Sequence, residues 1–427
     1  MSPTRSPLTL TLVALTCGLL AGGATADRNS YSQVSKGRYL VRVGDCVACH
    51  SAPDGEYLAG GKAIPTPFGE IYSANITPDE QTGLGTWNQD QFIRAMRKGV
   101  SADGSHLYPA FPYPSFTNVT DQDLAAIWSY LKTIDPVHNR VREPDIYWPL
   151  NWRTLMIGWK TLFFEPGVFQ PNPDKSEQWN RGAYLVEGLG HCGSCHTPKN
   201  LFGAAKEDEA YQGFELQQWF APKLTSDPKD GLGDWSNQDI VDYLKTGTNG
   251  DHVAAGLMRE VVEKSTQHMT DEDLHAIATY LKDLPGDEQS DQGGDDTDDV
   301  ASADGDADAA GLGRALYVDH CAACHRYDGT GMQDTFPELR HSPIVQADNP
   351  TSLIHVVLRG ARSPSTEQRA NRLAMPDFAW KLTDEQIAAV LTYIRDAWGN
   401  SAAPVDGGHV AEVRAATRLE PNPVAPE

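Results

Sequence analysis

Three pairs of cysteines, each followed directly by a histidine, constrain this 427-residue chain more than any other feature. The pairs and their histidines are Cys46, Cys49 and His50, then Cys192, Cys195 and His196, then Cys321, Cys324 and His325. Two thiols three positions apart can form thioethers with the two vinyl groups of one haem, and the next imidazole can then bind the iron. The motifs therefore predict three covalently bound haem c groups with these histidines as axial ligands.

Disulfides, zinc sites and thioredoxin-like redox motifs are the alternatives for paired cysteines. One Cys-x-x-Cys-His sequence can arise by chance, but three of them here use every cysteine except Cys17. A covalent haem also gives a small domain a part of its core that few side chains can supply. Haem attachment is therefore the favoured interpretation.

The N-terminal segment has the pattern of an export signal. Arg5 precedes an apolar run from Leu8 to Leu20, and small residues follow as far as Ala26. This pattern predicts a signal peptide over 1–26 and an exported mature protein. The apolar run is shorter than the roughly 20 residues that span a bilayer, which disfavours the alternative of a membrane anchor. Lipidation at Cys17 is a minor alternative.

Acidic residues outnumber basic residues by 58 to 35, which gives a formal net charge of −23. A nucleic-acid-binding protein needs a basic surface for the phosphates, so no nucleic-acid partner is expected. Ten of the acidic residues lie in 286–310, a segment without lysine or arginine. Its composition predicts a flexible acidic linker, with a docking strip for a basic partner as the alternative.

Internal repeats divide the chain into three helical units. Each unit carries a glycine before its haem motif, which predicts a helix that crosses another helix closely. These glycines are Gly37, Gly182 and Gly313. Each unit ends in a helix capped by a threonine, and these caps are Thr120, Thr270 and Thr383. The predicted fold class is all-α, with three tandem domains over 27–140, 176–285 and 311–400.

Two further segments connect or follow these domains. Residues 141–175 hold several tryptophans and phenylalanines among prolines. We interpret them as packing between the first two domains, with docking on a partner subunit or a membrane as the alternative. The tail over 401–427 contains a short amphipathic stretch from Val410 to Leu419, which makes it a weak candidate for membrane contact.

The sixth ligand of each iron determines what the haem can do, and methionine favours a high-potential electron carrier. Met258 and Met375 lie in the expected window before the last helix of domains two and three. In domain one, Phe111 occupies that position and cannot bind iron. His106 is the candidate substitute, and the alternative is a five-coordinate iron behind Phe111.

Several further motifs give the chain a recognisable pattern. They are Thr66-Pro67-Phe68-Gly69, Asn75 to Asp79, Gly83 to Trp87, Leu107 to Ala110, Ala221 to Thr225, Gly231 to Trp235, and Ser265 to Gln267. With the three haem motifs, they make the chain similar to the triheme cytochrome c subunit of bacterial membrane-bound alcohol, gluconate and sorbitol-type dehydrogenases. The resemblance covers nearly the whole mature chain.

The resemblance implies a function in electron transfer. It implies three cytochrome c-like domains and a separate catalytic dehydrogenase subunit that carries flavin or pyrroloquinoline quinone. Electrons would pass to membrane quinone or another respiratory acceptor, in the periplasm and with peripheral membrane association. The resemblance also implies methionine where Phe111 stands, which leaves the role of the first haem open.

No nucleotide-binding or hydrolytic motif appears in the sequence, so no substrate-oxidising site is expected in this chain. A free-standing multihaem shuttle and a haem peroxidase that uses an open first iron are the alternative functions.

Overall fold

The computed structural model describes residues 20–286 and 307–418, and the side chains of 30–286 and 311–418. Most of the predicted signal peptide and of the acidic linker therefore lies outside the described residues. The helices are α1 (Leu20–Val43), α2 (Cys46–His50), α3 (Gln89–Lys98), α4 (Tyr113–Phe116), α5 (Asp121–Leu131), α6 (Leu155–Phe163), α7 (Glu177–Tyr184), α8 (Gly193–His196), α9 (Asn237–Thr246), α10 (Gly256–Lys264), α11 (Asp271–Leu281), α12 (Ala307–His320), α13 (Ala322–His325), α14 (Pro343–Gln346), α15 (Thr351–Arg359), α16 (Asp384–Asp396) and α17 (Gly407–Thr417).

The structure is mostly helical, as the all-α prediction expects, but the loops also contain short strands that were not predicted. The strands are β1 (Ala63–Thr66), β2 (Gly69–Tyr72), β3 (Asp145–Ile146), β4 (Phe214–Leu216), β5 (Trp219–Ala221), β6 (Ala361–Arg362) and β7 (Ala374–Met375). They form three small antiparallel sheets, in the orders β1-β2-β3, β4-β5 and β6-β7. All strands except β3 lie in loops between a haem motif and the last helix of a unit, and β3 follows the last helix of the first unit.

Each unit begins with a helix that crosses its last helix at the predicted glycine. A Cβ atom on Gly37 would lie 1.9 Å from the carbonyl oxygen of Ala126, and one on Gly182 would lie 2.0 Å from that of Ala276. At Gly313 the corresponding distance is 2.4 Å. Any larger residue would push the two helices apart, so the predicted close crossings are confirmed.

The predicted threonine caps are also confirmed. The Thr120 hydroxyl accepts a hydrogen bond from the backbone N–H of Asp123. The hydroxyls of Thr270 and Thr383 accept the same bond from the backbone N–H of Asp273 and of Gln386. A threonine at this position satisfies one backbone donor of the first turn. The last helix of each unit therefore starts at a residue fixed by the sequence.

The first two units share one hydrophobic core, whereas the third has its own. Leu40 and Ile127 of the first unit belong to the same buried cluster as Leu185 and Leu274 of the second. Tyr317 and Ile387 belong to the separate cluster of the third. Because burial of apolar surface drives folding, the first two units stabilise each other directly.

The segment 141–175 packs between the first two units, in agreement with the packing interpretation. Its β3 strand extends the sheet of the first unit. Met156 and Trp159 on α6 are buried with Tyr113 of the first unit and Ala204 of the second. The Trp159 indole N–H donates to the carbonyl oxygen of Phe202 at 2.9 Å.

The tail helix α17 packs on the third unit, which corrects the expectation of membrane contact by this helix. Val410 and Val413, its apolar positions, are buried in the core of that unit. Arg414 binds the carboxylate of Asp384 at 2.7 Å and donates to two backbone carbonyls. Within 20–286 and 307–418, no helix is long and apolar enough to cross a bilayer.

Candidate haem-binding sites

A helical turn carries each Cys-x-x-Cys-His motif, at α2, α8 and α13. Residues three and four positions apart lie on one side of a helix, so both cysteines and the histidine of each motif face the same way. None of the six cysteines forms a disulfide. Each motif can therefore offer two thiols and one imidazole to a single group.

The histidine of each motif is held in the tautomer that binds metal. His50 Nδ1 lies 2.7 Å from the carbonyl oxygen of Ala74, and His196 Nδ1 lies 2.7 Å from that of Pro222. His325 Nδ1 lies 2.9 Å from that of Pro337. A carbonyl oxygen only accepts, so Nδ1 carries the proton and Nε2 keeps its lone pair. A hydrogen bond of this kind orients a metal-bound histidine.

Burial favours neutral forms of the motif residues. It lowers the pKa of His50, His196 and His325 below 6.5, against the opposing effect of their carbonyl partners. It raises the pKa of the Cys46 thiol to about 12 and that of Cys321 to about 11. Thioredoxin-like motifs depend on the opposite shift, a lowered thiol pKa, so these thiols do not fit that alternative.

The loops that follow α3 and α9 begin with the same backbone hydrogen bond. The N–H of Leu107 donates to the carbonyl oxygen of Gly99 at 2.8 Å, and that of Ala254 donates to Gly247 at the same distance. Each glycine ends a matching helix, α3 or α9, in the left-handed conformation. Counting four residues onward from Leu107 and Ala254 gives Phe111 and Met258. The structure thus places Phe111 where the second unit has methionine.

Phe111 belongs to a layer of aromatic rings at the boundary between the first two units. Its ring centre lies 5.4 Å from that of Phe116, which in turn lies 5.6 Å from that of His191. His191 directly precedes the second haem motif. The Phe111 side chain therefore forms part of the packing between the first loop and the second motif.

His106, the candidate substitute ligand, contacts the connecting segment. Its Nδ1 lies 3.1 Å from Lys160 Nζ, and Lys160 also donates to the carbonyl oxygens of Lys98 and Gly99. Burial lowers the pKa of Lys160 to about 8. An ammonium group only donates, so His106 Nδ1 accepts and the ring proton lies on Nε2. In this arrangement neither nitrogen of His106 offers a lone pair to iron.

Met375 lies on β7, which pairs with β6 just after α15. Gly360 joins α15 to β6 with a φ of +75°, and a Cβ atom there would lie 2.6 Å from the carbonyl oxygen of Met375. Met375 and Met258 are both half-buried. Two other methionines that follow a haem motif, Met269 and Met332, are weaker ligand candidates from the sequence, and they differ from this pair because Met269 is buried in the core and Met332 is 51% exposed.

The first two sites are tied together by contacts that the sequence did not reveal. Lys62 Nζ donates to the carbonyl oxygen of Ala48, inside the first motif, and binds Glu260 on α10 at 2.9 Å. Met258 lies on the same helix α10. Tyr39 and Tyr184 cross the boundary in opposite directions to Asp273 and Asp123. Tyr39 and Tyr184 each lie two residues after the crossing glycine of their unit, but this repeat does not identify their partners.

Three helical units, each with a Cys-x-x-Cys-His turn and a histidine oriented by a backbone carbonyl, define a c-type cytochrome. The chain belongs to the cytochrome c family, whose model matches residues 34–135, 180–285 and 310–398. Domains of this family carry covalently bound haem c, and the residues described above fit that group.

Among characterised proteins, the chain is similar to cytochrome subunits of dehydrogenases. It is 42% identical to the gluconate 2-dehydrogenase cytochrome c subunit of Pantoea cypripedii, over 94% of each chain. It is 43% identical to the cytochrome c subunit of the quinone alcohol dehydrogenase of Gluconacetobacter polyoxogenes, over 92% of this chain and 87% of the relative. It is 37% identical to the fructose dehydrogenase cytochrome subunit of Gluconobacter japonicus, over 93% and 85%.

Proposed function

We propose that this chain is the triheme electron-transfer subunit of a dehydrogenase complex that faces the periplasm. The observation that carries the proposal is the repeated motif histidine, bound through Nδ1 to a carbonyl oxygen in all three units. Similarity to dehydrogenase cytochrome subunits over more than nine-tenths of the chain supports the same function. A bound haem supplies reversible one-electron chemistry at iron.

The cysteines would attach each haem covalently, and the histidines and methionines would bind its iron. Thioethers to Cys46 and Cys49, to Cys192 and Cys195, and to Cys321 and Cys324 would fix the three groups. His50, His196 and His325 would bind the irons through Nε2. Met258 and Met375 would be the further ligands of the second and third irons, and a methionine ligand favours the reduced state of a haem and hence a higher potential.

The first haem has no methionine at the matching position. The contact between Lys160 and His106 favours an iron without a sixth side-chain ligand, behind Phe111, over ligation by His106. Phe111 packs on Phe116, so a small external ligand would have to displace an apolar ring. The first haem would therefore differ from the other two in potential and in spin state.

A catalytic subunit with flavin or pyrroloquinoline quinone would donate the electrons, after oxidation of an alcohol, an aldehyde, a sugar or a sugar acid. Quinone or another respiratory acceptor would receive them at the membrane. Trp148 is 75% exposed and Trp152 is 57% exposed on the connecting segment, and aromatic side chains of this kind suit a partner subunit or a membrane interface. Peripheral association through this segment is part of the proposal.

The direct test is purification of the native complex from periplasmic membranes. We expect a flavin or quinoprotein subunit to copurify, and the haem absorption to change to the reduced form when that subunit's substrate is added. A chain that purifies alone, with haems that no alcohol, sugar or sugar acid reduces, would support the free-standing shuttle instead. Rapid oxidation of the first haem by peroxide with turnover would favour the peroxidase.

A further inference from the structure

A stacked pair of aromatic rings joins the second unit to the third. The ring centres of Trp219, on β5, and His355, on α15, lie 4.0 Å apart, with 26° between the ring planes. His355 is only 2% exposed, and its Nδ1 donates to the carbonyl oxygen of Gln218 at 2.9 Å. Two more hydrogen bonds join the units beside the rings. Ser352 Oγ accepts from the backbone N–H of Phe220 and donates to the carbonyl oxygen of Phe220.

Trp219 is close to both segments that would hold the second iron. Three residues after it, Pro222 accepts the hydrogen bond from His196. Its indole also covers Gly256, where an added Cβ atom would lie only 2.6 Å from the ring. Gly256 is two residues before Met258, so the indole contacts the segment that carries Met258. Trp219 is also only three residues from Pro222, the residue that orients His196.

His355 has a similar position with respect to the third iron. His355 lies on α15. Two residues further along this helix, the carbonyl oxygen of Val357 accepts a hydrogen bond from the backbone N–H of Phe378 at 2.9 Å. The helix ends at Gly360, which packs against the carbonyl of Met375. The His355 helix is therefore in direct backbone contact with the segment that carries Met375.

We propose that Trp219 and His355 form the electronic bridge between the second and third haems. The proposal rests on the function proposed above, because it needs haem at both sites. With haem bound at both sites, one electron would leave one haem, which is oxidised, and enter the other haem, which is reduced. Trp219 and His355 gain and lose no electron or proton overall. Closely packed rings carry electronic coupling better than a solvent-filled gap between two units would.

The experiment uses the full-length holoprotein and light-injected electrons, so it needs no dehydrogenase. A ruthenium photosensitiser is attached to a cysteine introduced by Trp380→Cys in the third unit, where Trp380 is 78% exposed. The background change Met375→His lowers the potential of the third haem, which makes transfer to the second haem downhill and gives the two haems different spectra. After a light flash, the first absorbance change reports reduction of the third haem by the photosensitiser. The second absorbance phase reports electron transfer from the third haem to the second.

We expect Trp219→Leu and His355→Leu to slow this phase several-fold, while Trp219→Phe and His355→Phe retain most of the rate because they keep a ring. Phe202→Leu is the matched control, since it removes one ring of another stacked pair, with Phe163, outside this contact. Equilibrium titration of each haem and hydrogen exchange of the Phe220 N–H serve as independent measurements.

A slower phase with unchanged potentials and unchanged protection of the Phe220 N–H would support the bridge. An unchanged rate in both leucine variants would overturn it. A slower phase accompanied by lost protection at Phe220 would also overturn it, because the rings would then act only by holding the two units together. Failure of the dehydrogenase to copurify would bear on the proposed function and not on this result.

Discussion

Tyr39 of the first unit donates a 2.5 Å hydrogen bond to Asp273 Oδ2 of the second, and Tyr184 of the second returns one to Asp123 of the first at 2.6 Å. Each tyrosine hydroxyl also accepts from the backbone N–H of the threonine that caps the same helix as its aspartate. The two duplicated units thus bind each other through the same residues in both directions. The boundary between them has approximate twofold symmetry.

Loss of one of these hydroxyls is expected to weaken the boundary. In Tyr39→Phe, the Asp273 carboxylate loses one of its donors in a buried position, which costs about 1–3 kcal/mol of unfolding free energy. Urea unfolding of the holoprotein measures the change. Tyr31→Phe is the control, because Tyr31 is 77% exposed. Equal stability of the two variants would contradict an energetic role for the tyrosine pair.

The Asp273 carboxylate gives the boundary a pH dependence. Burial by itself would raise its pKa, but the hydrogen bonds from Arg181 and Tyr39 outweigh burial and hold the pKa below 3.8. A carboxyl group with a lowered folded pKa stabilises the protein fully above its unfolded pKa, and this stabilisation is lost as the pH falls through the folded value. We therefore expect stability to decline below pH 3.8.

Asp273→Asn tests this dependence. The variant is expected to be less stable than the wild type at pH 7 and to lose less stability between pH 5 and pH 3, since it has no carboxyl group to protonate there. Unfolding by urea across this range measures both effects. Asp54→Asn, at an exposed position, is the control. Parallel stability curves for the wild type and Asp273→Asn would refute the assignment.

The first haem is expected to respond to Phe111 and not to His106. His106→Ala should leave its absorption spectrum unchanged, because Lys160 already occupies Nδ1. Phe111→Met should convert it to the low-spin spectrum of histidine–methionine ligation and raise its potential. Redox titration and magnetic circular dichroism follow both changes, with Phe202→Met as the control. A high-spin conversion in His106→Ala would show that His106 is a ligand after all.

The two proposed methionine ligands are expected to set the potentials of the other haems. Met258→His and Met375→His should each lower the potential of one haem, since histidine replaces a thioether that favours ferrous iron. Potentiometric titration of the full chain resolves which haem moves. Met332→His is the control, because Met332 is half-exposed and lies far in sequence from the segment before α16 that carries Met375. A shift in that variant alone would reassign the third ligand.

The local features of this chain could be predicted from sequence, and the contacts between units could not. The haem motifs, the threonine caps at Thr120 and Thr383 and the crossing at Gly37 depend on neighbouring residues or on the repeat, so the pattern reveals them. The small sheets were missed because their strands are only two to four residues long, too short for an alternating pattern to show. The family similarity was read correctly from the same motifs.

Hydrogen-bond partners that lie far apart in sequence could not be predicted. Nothing near Tyr39 marks Asp273, which is 234 residues away. The carbonyl that orients His50 belongs to Ala74, a residue whose side chain carries no polar signal. The position of His106 could be predicted, but its contact with Lys160 depends on how α6 folds back. Each of these requires the packed structure.

The shared core of the first two units has a consequence for how such chains can evolve. Buried residues such as Leu40 and Leu185 contribute to one cluster, so a substitution that suits one unit must also suit the other. Recombination that exchanged either unit alone would bring together surfaces selected in different partners. We therefore expect the pair to be inherited as one module, and the third unit, with a core of its own, to tolerate replacement more readily.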